Sequence, residues 1–478
     1  MRRLFSISTA AVVALSATAG AQGTVIKPPA PGPLRPYVVP PVNIQTLPNG
    51  MRIAVIEKHS LPVVTARIQV DAGAVREPAD KAGLAVLTTS LLPEGTTELT
   101  GAQIAEKMAD LGAGFGTSGT FGSAAATVTS LTDVFPRALA LAATTVTKPA
   151  FTVADFNRIK ASSIAGYERS MSQGANVAAK IFVQSVYDAK TPYARLNSGT
   201  KASLTGLTRD DVLNWHRTMY SPATTTVMLV GDITPAQARA AVEAAFGGWN
   251  APAPTLPALQ NMPRAVSGTR IVLVDRPGSV QTSMSIGQSV PAWDSPEYFA
   301  ILGATQVLGG SVSARMNANL REKHGWTYGA FSGYNPLAGV GTFSVTSEVR
   351  TNATDSAIAE TVREIKRLTG EAVAAEEMRD QMNNVVSSFP SSVQTVQGLM
   401  SRLTNVITYG LAPDFYNTYR ERVAALAASD IARVGKSVFT PNDLTIVAVG
   451  DLKSIEAPIR ALNLGTVEVW DVDGNKLR

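Results

Sequence analysis

The chain has 478 residues, 45% of them hydrophobic, a formal net charge of +5 and no cysteine. Disulfides, thiol catalysis and cysteine-bound zinc are excluded. No basic run or aromatic-plus-basic stripe is present, which argues against a nucleic-acid partner.

In chain order, Met1-Arg2-Arg3, an apolar run from Leu4 to Leu15 and the ending Ala19-Gly20-Ala21 read as a signal peptide over residues 1–21. The apolar run falls short of the roughly 20 residues that span a bilayer. No later stretch is long and apolar enough either, so the expectation is an exported, periplasmic protein without a membrane span. Residues 22–42 are proline-rich and read as an extended tether.

Arg52–Lys58 and Thr65–Asp71 carry strand patterns around a turn at Ser60-Leu61-Pro62. Ala79–Leu92 and Thr100–Leu111 read as helices, the second with Thr100 as its cap. Gly114–Thr120 and Ala124–Ser130 form a small-residue strand pair. Gly112-Ala113-Gly114-Phe115-Gly116 lacks the Lys-Ser/Thr of a phosphate loop and reads as a strand edge. Helices follow over Asp133–Thr147, Val153–Met171, Asn176–Asp188 and Thr208–Met219, then a strand over Thr225–Val230 and a helix over Pro235–Phe246. Without regular βαβ crossovers, this order predicts an α+β fold, with helices covering an antiparallel sheet.

The chain then repeats itself. Leu207–Ile233 aligns with Leu426–Leu452 without a gap at an offset of 219: Asp211 meets Asp430, Pro222 meets Pro441, and Gly231-Asp232 meets Gly450-Asp451. Arg52–Lys58 aligns with Arg270–Arg276 at an offset of 218. Two distant matches at nearly one offset indicate duplication. The expected organisation is two homologous halves, 43–248 and 269–478, joined by a linker over 249–268 rich in proline.

Several blocks, in this order, resemble the pitrilysin/insulinase peptidases over nearly the whole length after the leader. They are Leu47-Pro48-Asn49-Gly50-Met51-Arg52, Lys81-Ala82-Gly83-Leu84-Ala85, Leu91-Leu92-Pro93-Glu94-Gly95-Thr96, Tyr220-Ser221-Pro222 through Gly231-Asp232, Leu308-Gly309-Gly310, and Leu320-Arg321-Glu322-Lys323 to Tyr328. The resemblance implies a two-half fold and a peptide occupant added to a sheet edge.

Active members of that family carry His-x-x-Glu-His, two zinc ligands on one helical face with a general base between them. Here the slot reads Val86-Leu87-Thr88-Thr89-Ser90, so Val86 and Ser90 replace the histidines and Thr89 replaces the base. The third-ligand slot falls near Gly166, with the carboxylate of Glu168 two residues on. The only histidines, His59, His216 and His324, are too scattered for a helical ligand pair. No cofactor is expected in this chain.

In the same family an Arg and a Tyr from the opposite half hold the substrate carbonyl and steady the developing oxyanion, and Arg321 and Tyr328 match that pair. A guanidinium and a phenol suit the task because both are donors that can be aimed at developing charge. His324 and Trp326, in the same segment, are expected to line the cleft. The resemblance therefore implies the non-zinc subunit of a heteromeric metallopeptidase. Arg321 and Tyr328 would act in trans on peptides, and zinc would sit in a homologous partner subunit. The alternative is a non-catalytic peptide-binding or scaffold protein of the same fold.

Overall fold

A computed structural model describes residues 38–256 and 268–478. The expected signal peptide, most of the tether and the middle of the linker lie outside the described residues.

Among the described residues, twelve strands form two six-stranded sheets. The first contains β1 (Asn43–Thr46), β2 (Arg52–Glu57), β3 (Val63–Val70), β4 (Gly114–Gly119), β5 (Ala124–Leu131) and β6 (Thr225–Gly231), in the order β1-β2-β6-β3-β5-β4. The second contains β7 (Arg270–Asp275), β8 (Gln281–Val290), β9 (Thr327–Pro336), β10 (Gly341–Arg350), β11 (Thr445–Gly450) and β12 (Thr466–Trp470), in the order β12-β7-β11-β8-β10-β9. Five strands repeat in place, which is the duplication read from the sequence. The outer edges differ. β1 precedes its neighbour β2 and runs antiparallel to it, whereas β12 comes from the chain's end and runs parallel to β7.

The sheets are mixed rather than purely antiparallel. β2 pairs parallel with β6, and β7 pairs parallel with β11, because the chain leaves each of these strands for a long excursion and returns in the same sense. Their apolar runs reflect burial on both faces. In β7, Ile271 and Leu273 enter the core of the second half, while Val272 and Val274 face a separate apolar cluster on the other side.

That separate cluster joins the halves. Helix Gly174–Val186, from the first half, lays Val177, Ile181 and Val186 onto Val272, Val274, Val447 and Val449 of the second sheet. Helix Val396–Tyr409, from the second half, packs in turn against β3 and β6, where Thr408 accepts a hydrogen bond from Gln69 at 3.0 Å. Each half thus covers the other's sheet with one helix. Among the described residues no helix is long and apolar enough to cross a membrane.

The helix expected from Ala79 begins only at Leu84 and ends at Leu91. Gly83 holds φ +95° ahead of it, a conformation that suits glycine. The helix expected from Thr100 runs over Gly101–Asp110, and Thr100 and Gln103 make its reciprocal capping box.

Candidate functional site

The degenerate slot is carried by helix Leu84–Leu91. Its N-terminus is capped from outside the helix. Glu77 accepts hydrogen bonds from the backbone N–H of Gly83 at 3.1 Å and of Ala85 at 2.6 Å. Burial pushes the Glu77 carboxyl up to about 7, against those two donors and the Arg195 charge, which favour the ionised form.

The three slot residues do not face one cavity. Val86 lines a cavity of about 490 Å³ together with Gly166. Thr89 is buried and turned inward, its hydroxyl bonded to the Ala85 carbonyl at 2.7 Å and 3.5 Å from the Tyr220 hydroxyl. Ser90 donates to the Val86 carbonyl at 2.9 Å. Glu168 lies at the surface in an ion pair with Lys201 at 2.6 Å.

A zinc ion does not fit this donor set. The slot offers an alkyl group, two hydroxyls already spent on backbone carbonyls and a glycine, whereas catalytic zinc needs about three nitrogen, sulfur or carboxylate ligands. No cluster of three ligand-type side chains occurs among the described residues. The cavity wall instead carries Tyr167 and Lys180, which the sequence reading did not single out. Lys180 donates to the Tyr167 hydroxyl at 3.0 Å and to the Val472 carbonyl at 2.9 Å. Tyr167 donates in turn to Asp473 at 3.1 Å. Nothing in the local sequence marks this network, because its two halves lie about three hundred positions apart.

Arg321 sits on a π-helical stretch, Asn317–Lys323, and Tyr328 is the second residue of the edge strand β9. Single π turns recur at functional positions. Tyr328 is 92% exposed, an unusual position for a large aromatic ring. It lines an open pocket of about 550 Å³ with Phe331, Met284 and Glu348. Arg321 is half exposed and its Nε lies 3.2 Å from Glu322.

The two segments are tied together by Asn317, which is fully buried. Its amide donates to the Ala330 carbonyl at 2.8 Å, and its side-chain oxygen accepts from the Ala330 N–H at 3.0 Å. No local motif marks this residue. His324 and Trp326 stack on one another, ring centres 4.1 Å apart and planes at 14°. Trp326 packs against the core of the second half, and neither ring lines the Tyr328 pocket.

The remaining histidines have local roles. His59 is exposed and bridges Glu57 and Asp232, whose carboxylates raise its pKa. His216 is bonded to the Val146 carbonyl at 2.8 Å, and burial lowers its pKa.

Comparison with known proteins agrees with this geometry. A family model described as the insulinase family, peptidase family M16, matches residues 52–191, and one described as the peptidase M16 inactive domain matches residues 206–385. Among solved structures, a peptidase M16 inactive domain from Pseudomonas fluorescens is 25% identical with a TM-score of 0.78, covering 86% of this chain and 98% of that one. A protease from Helicobacter pylori, 18% identical, superposes with a TM-score of 0.80 over 86% of this chain and 99% of its own. A search of curated proteins returned no match.

Proposed function

This chain belongs to the M16 peptidase family, the insulinase family, as a member lacking the zinc motif, and from that premise we propose that it is the non-zinc subunit of a heteromeric peptidase. One observation carries the reading. Tyr328 stands 92% exposed at the start of an edge strand, with Arg321 on the segment tied to that strand. Exposed donors of this kind suit a site completed by a second chain.

In the proposed complex a zinc-bearing homologous subunit supplies the hydrolytic water. This chain's residues bind and orient. β9 offers unpaired backbone groups to an extended peptide. Arg321 and Tyr328 direct a guanidinium and a phenol hydroxyl toward the substrate carbonyl. The Arg321–Glu322 contact would have to yield, which is inexpensive because exposed ion pairs contribute about 0–1 kcal/mol. That contact is the one feature favouring the alternative, a peptide-holding scaffold in which Arg321 serves only the surface. The leader-like sequence of residues 1–21 supports an exported complex, working in the periplasm.

The test is reconstitution. The chain, alone and mixed with a zinc-bearing homologue, is assayed for peptide cleavage. Activity is expected only in the mixture. Arg321→Ala and Tyr328→Phe are each expected to lower kcat by about 10²-fold or more, the scale of losing one oxyanion donor. Full activity of the mixture with both substitutions would leave only the scaffold reading.

A further inference from the structure

We propose that the cavity behind Val86 binds a carboxylate of an acidic peptide, held by Lys180. Lysine is almost never fully buried unless it is paired, yet Lys180 is 1% exposed and has no carboxylate within ion-pair distance. Its ammonium carries three N–H donors. Two are spent, on the Val472 carbonyl and the Tyr167 hydroxyl.

The cavity wall repeats the imbalance. Lys180 and Arg195 are its only charged residues, and Ser163, Ser170 and Asn176 add neutral polar groups. The carboxylates whose charge acts on Lys180, Asp473 and Asp471, sit on the C-terminal turn, outside the cavity lining. Their charge favours the protonated amine and opposes the downward pull of burial on the Lys180 pKa. A carboxylate entering the cavity gains a charge-assisted hydrogen bond in a poorly solvated space, where such bonds are strongest. A metal cation entering it meets two positive charges.

The cavity is placed to meet a peptide. Val86 lies directly under Gly119 of edge strand β4, where a built Cβ would stand 3.0 Å from the Val86 Cα. A strand added to β4 would run past this wall. The volume of about 490 Å³ accommodates an Asp or Glu side chain, or a peptide's C-terminal residue.

The experiment uses the full chain without any partner and reads binding alone, so its failure is separate from failure of the partner-subunit reading. Fluorescence anisotropy is measured with four labelled peptides of one extended sequence. They carry a central Glu or Gln, each with a free or an amidated C-terminus. The Glu amide or the Gln free acid is expected to bind at least about tenfold more tightly than the neutral Gln amide, and which of them does so identifies the source of the carboxylate. Lys180→Met is expected to abolish the preference, whereas Lys201→Met, on the surface, leaves it intact. Equal binding of all four peptides overturns the proposal, as does a preference that survives Lys180→Met. If Lys180→Met does not fold, Arg195→Gln in the intact chain decides: the preference is expected to fall severalfold, and an unchanged preference overturns the proposal.

Discussion

Replacing Glu77 with Gln tests the electrostatics beneath the slot helix. The carboxyl is 7% exposed, and its pKa stands at about 7 instead of the ordinary 4.5. An acid that holds its proton more tightly in the folded state stabilises the fold at low pH and loses that contribution as pH rises. The window here runs from about pH 4.5, the unfolded value, to about pH 7, the folded one. Between pH 8 and pH 5 the wild-type chain should therefore gain about 2.5 kcal/mol from this group. Glu77→Gln has no such proton. It can also satisfy only one of the two N–H donors of Gly83 and Ala85, a fixed cost of about 1 kcal/mol at every pH. Urea unfolding of both proteins at half-unit steps from pH 5 to pH 8 gives the difference directly. Wild type should exceed the variant by the largest margin at pH 5, with the margin shrinking as pH rises. A margin that is flat, or that grows with pH, would mean that the two donors and Arg195 outweigh burial, and the reasoning would be wrong.

Other outcomes follow from single features. Thr100→Ala removes one side of a capping box at the surface and should cost about 1 kcal/mol by denaturant titration, with the fold retained by circular dichroism. Gly231→Ala should prevent recovery of folded protein, because φ is +142° and the new Cβ would stand 2.1 Å from the Val63 carbonyl oxygen. Native folding of that variant would count against the β3–β6 register. Ile181→Ala, fully buried between the halves, should cost about 2–5 kcal/mol. Its thermogram should also lose single-transition character, and a small, cooperative shift would show that the shared cluster contributes little.

Much of this architecture was legible because it is local or repeated. Thr100 reads as a cap ahead of its helix, and that helix starts at the next residue. The duplicated Gly-Asp after β6 and β11 fixed the offset between halves. Three things were not legible. The parallel pairing of β2 with β6 depends on where the chain returns, which no strand pattern records. The helix start at Leu84 depends on a left-handed Gly83 and a cap from Glu77, and that segment is otherwise compatible with helix. Lys180, Tyr167 and Asp473 each look ordinary in sequence, and only the approach of the C-terminal turn joins them.

The reciprocal covering of each sheet by a helix from the other half limits how this molecule can move. Drawing the halves apart would strip Val177 and Ile181 from Val272 and Val447 and expose apolar surface at about 25 cal/mol per Å². In the proposed complex, closure on a peptide would come from the partner subunit and not from separation of these two halves.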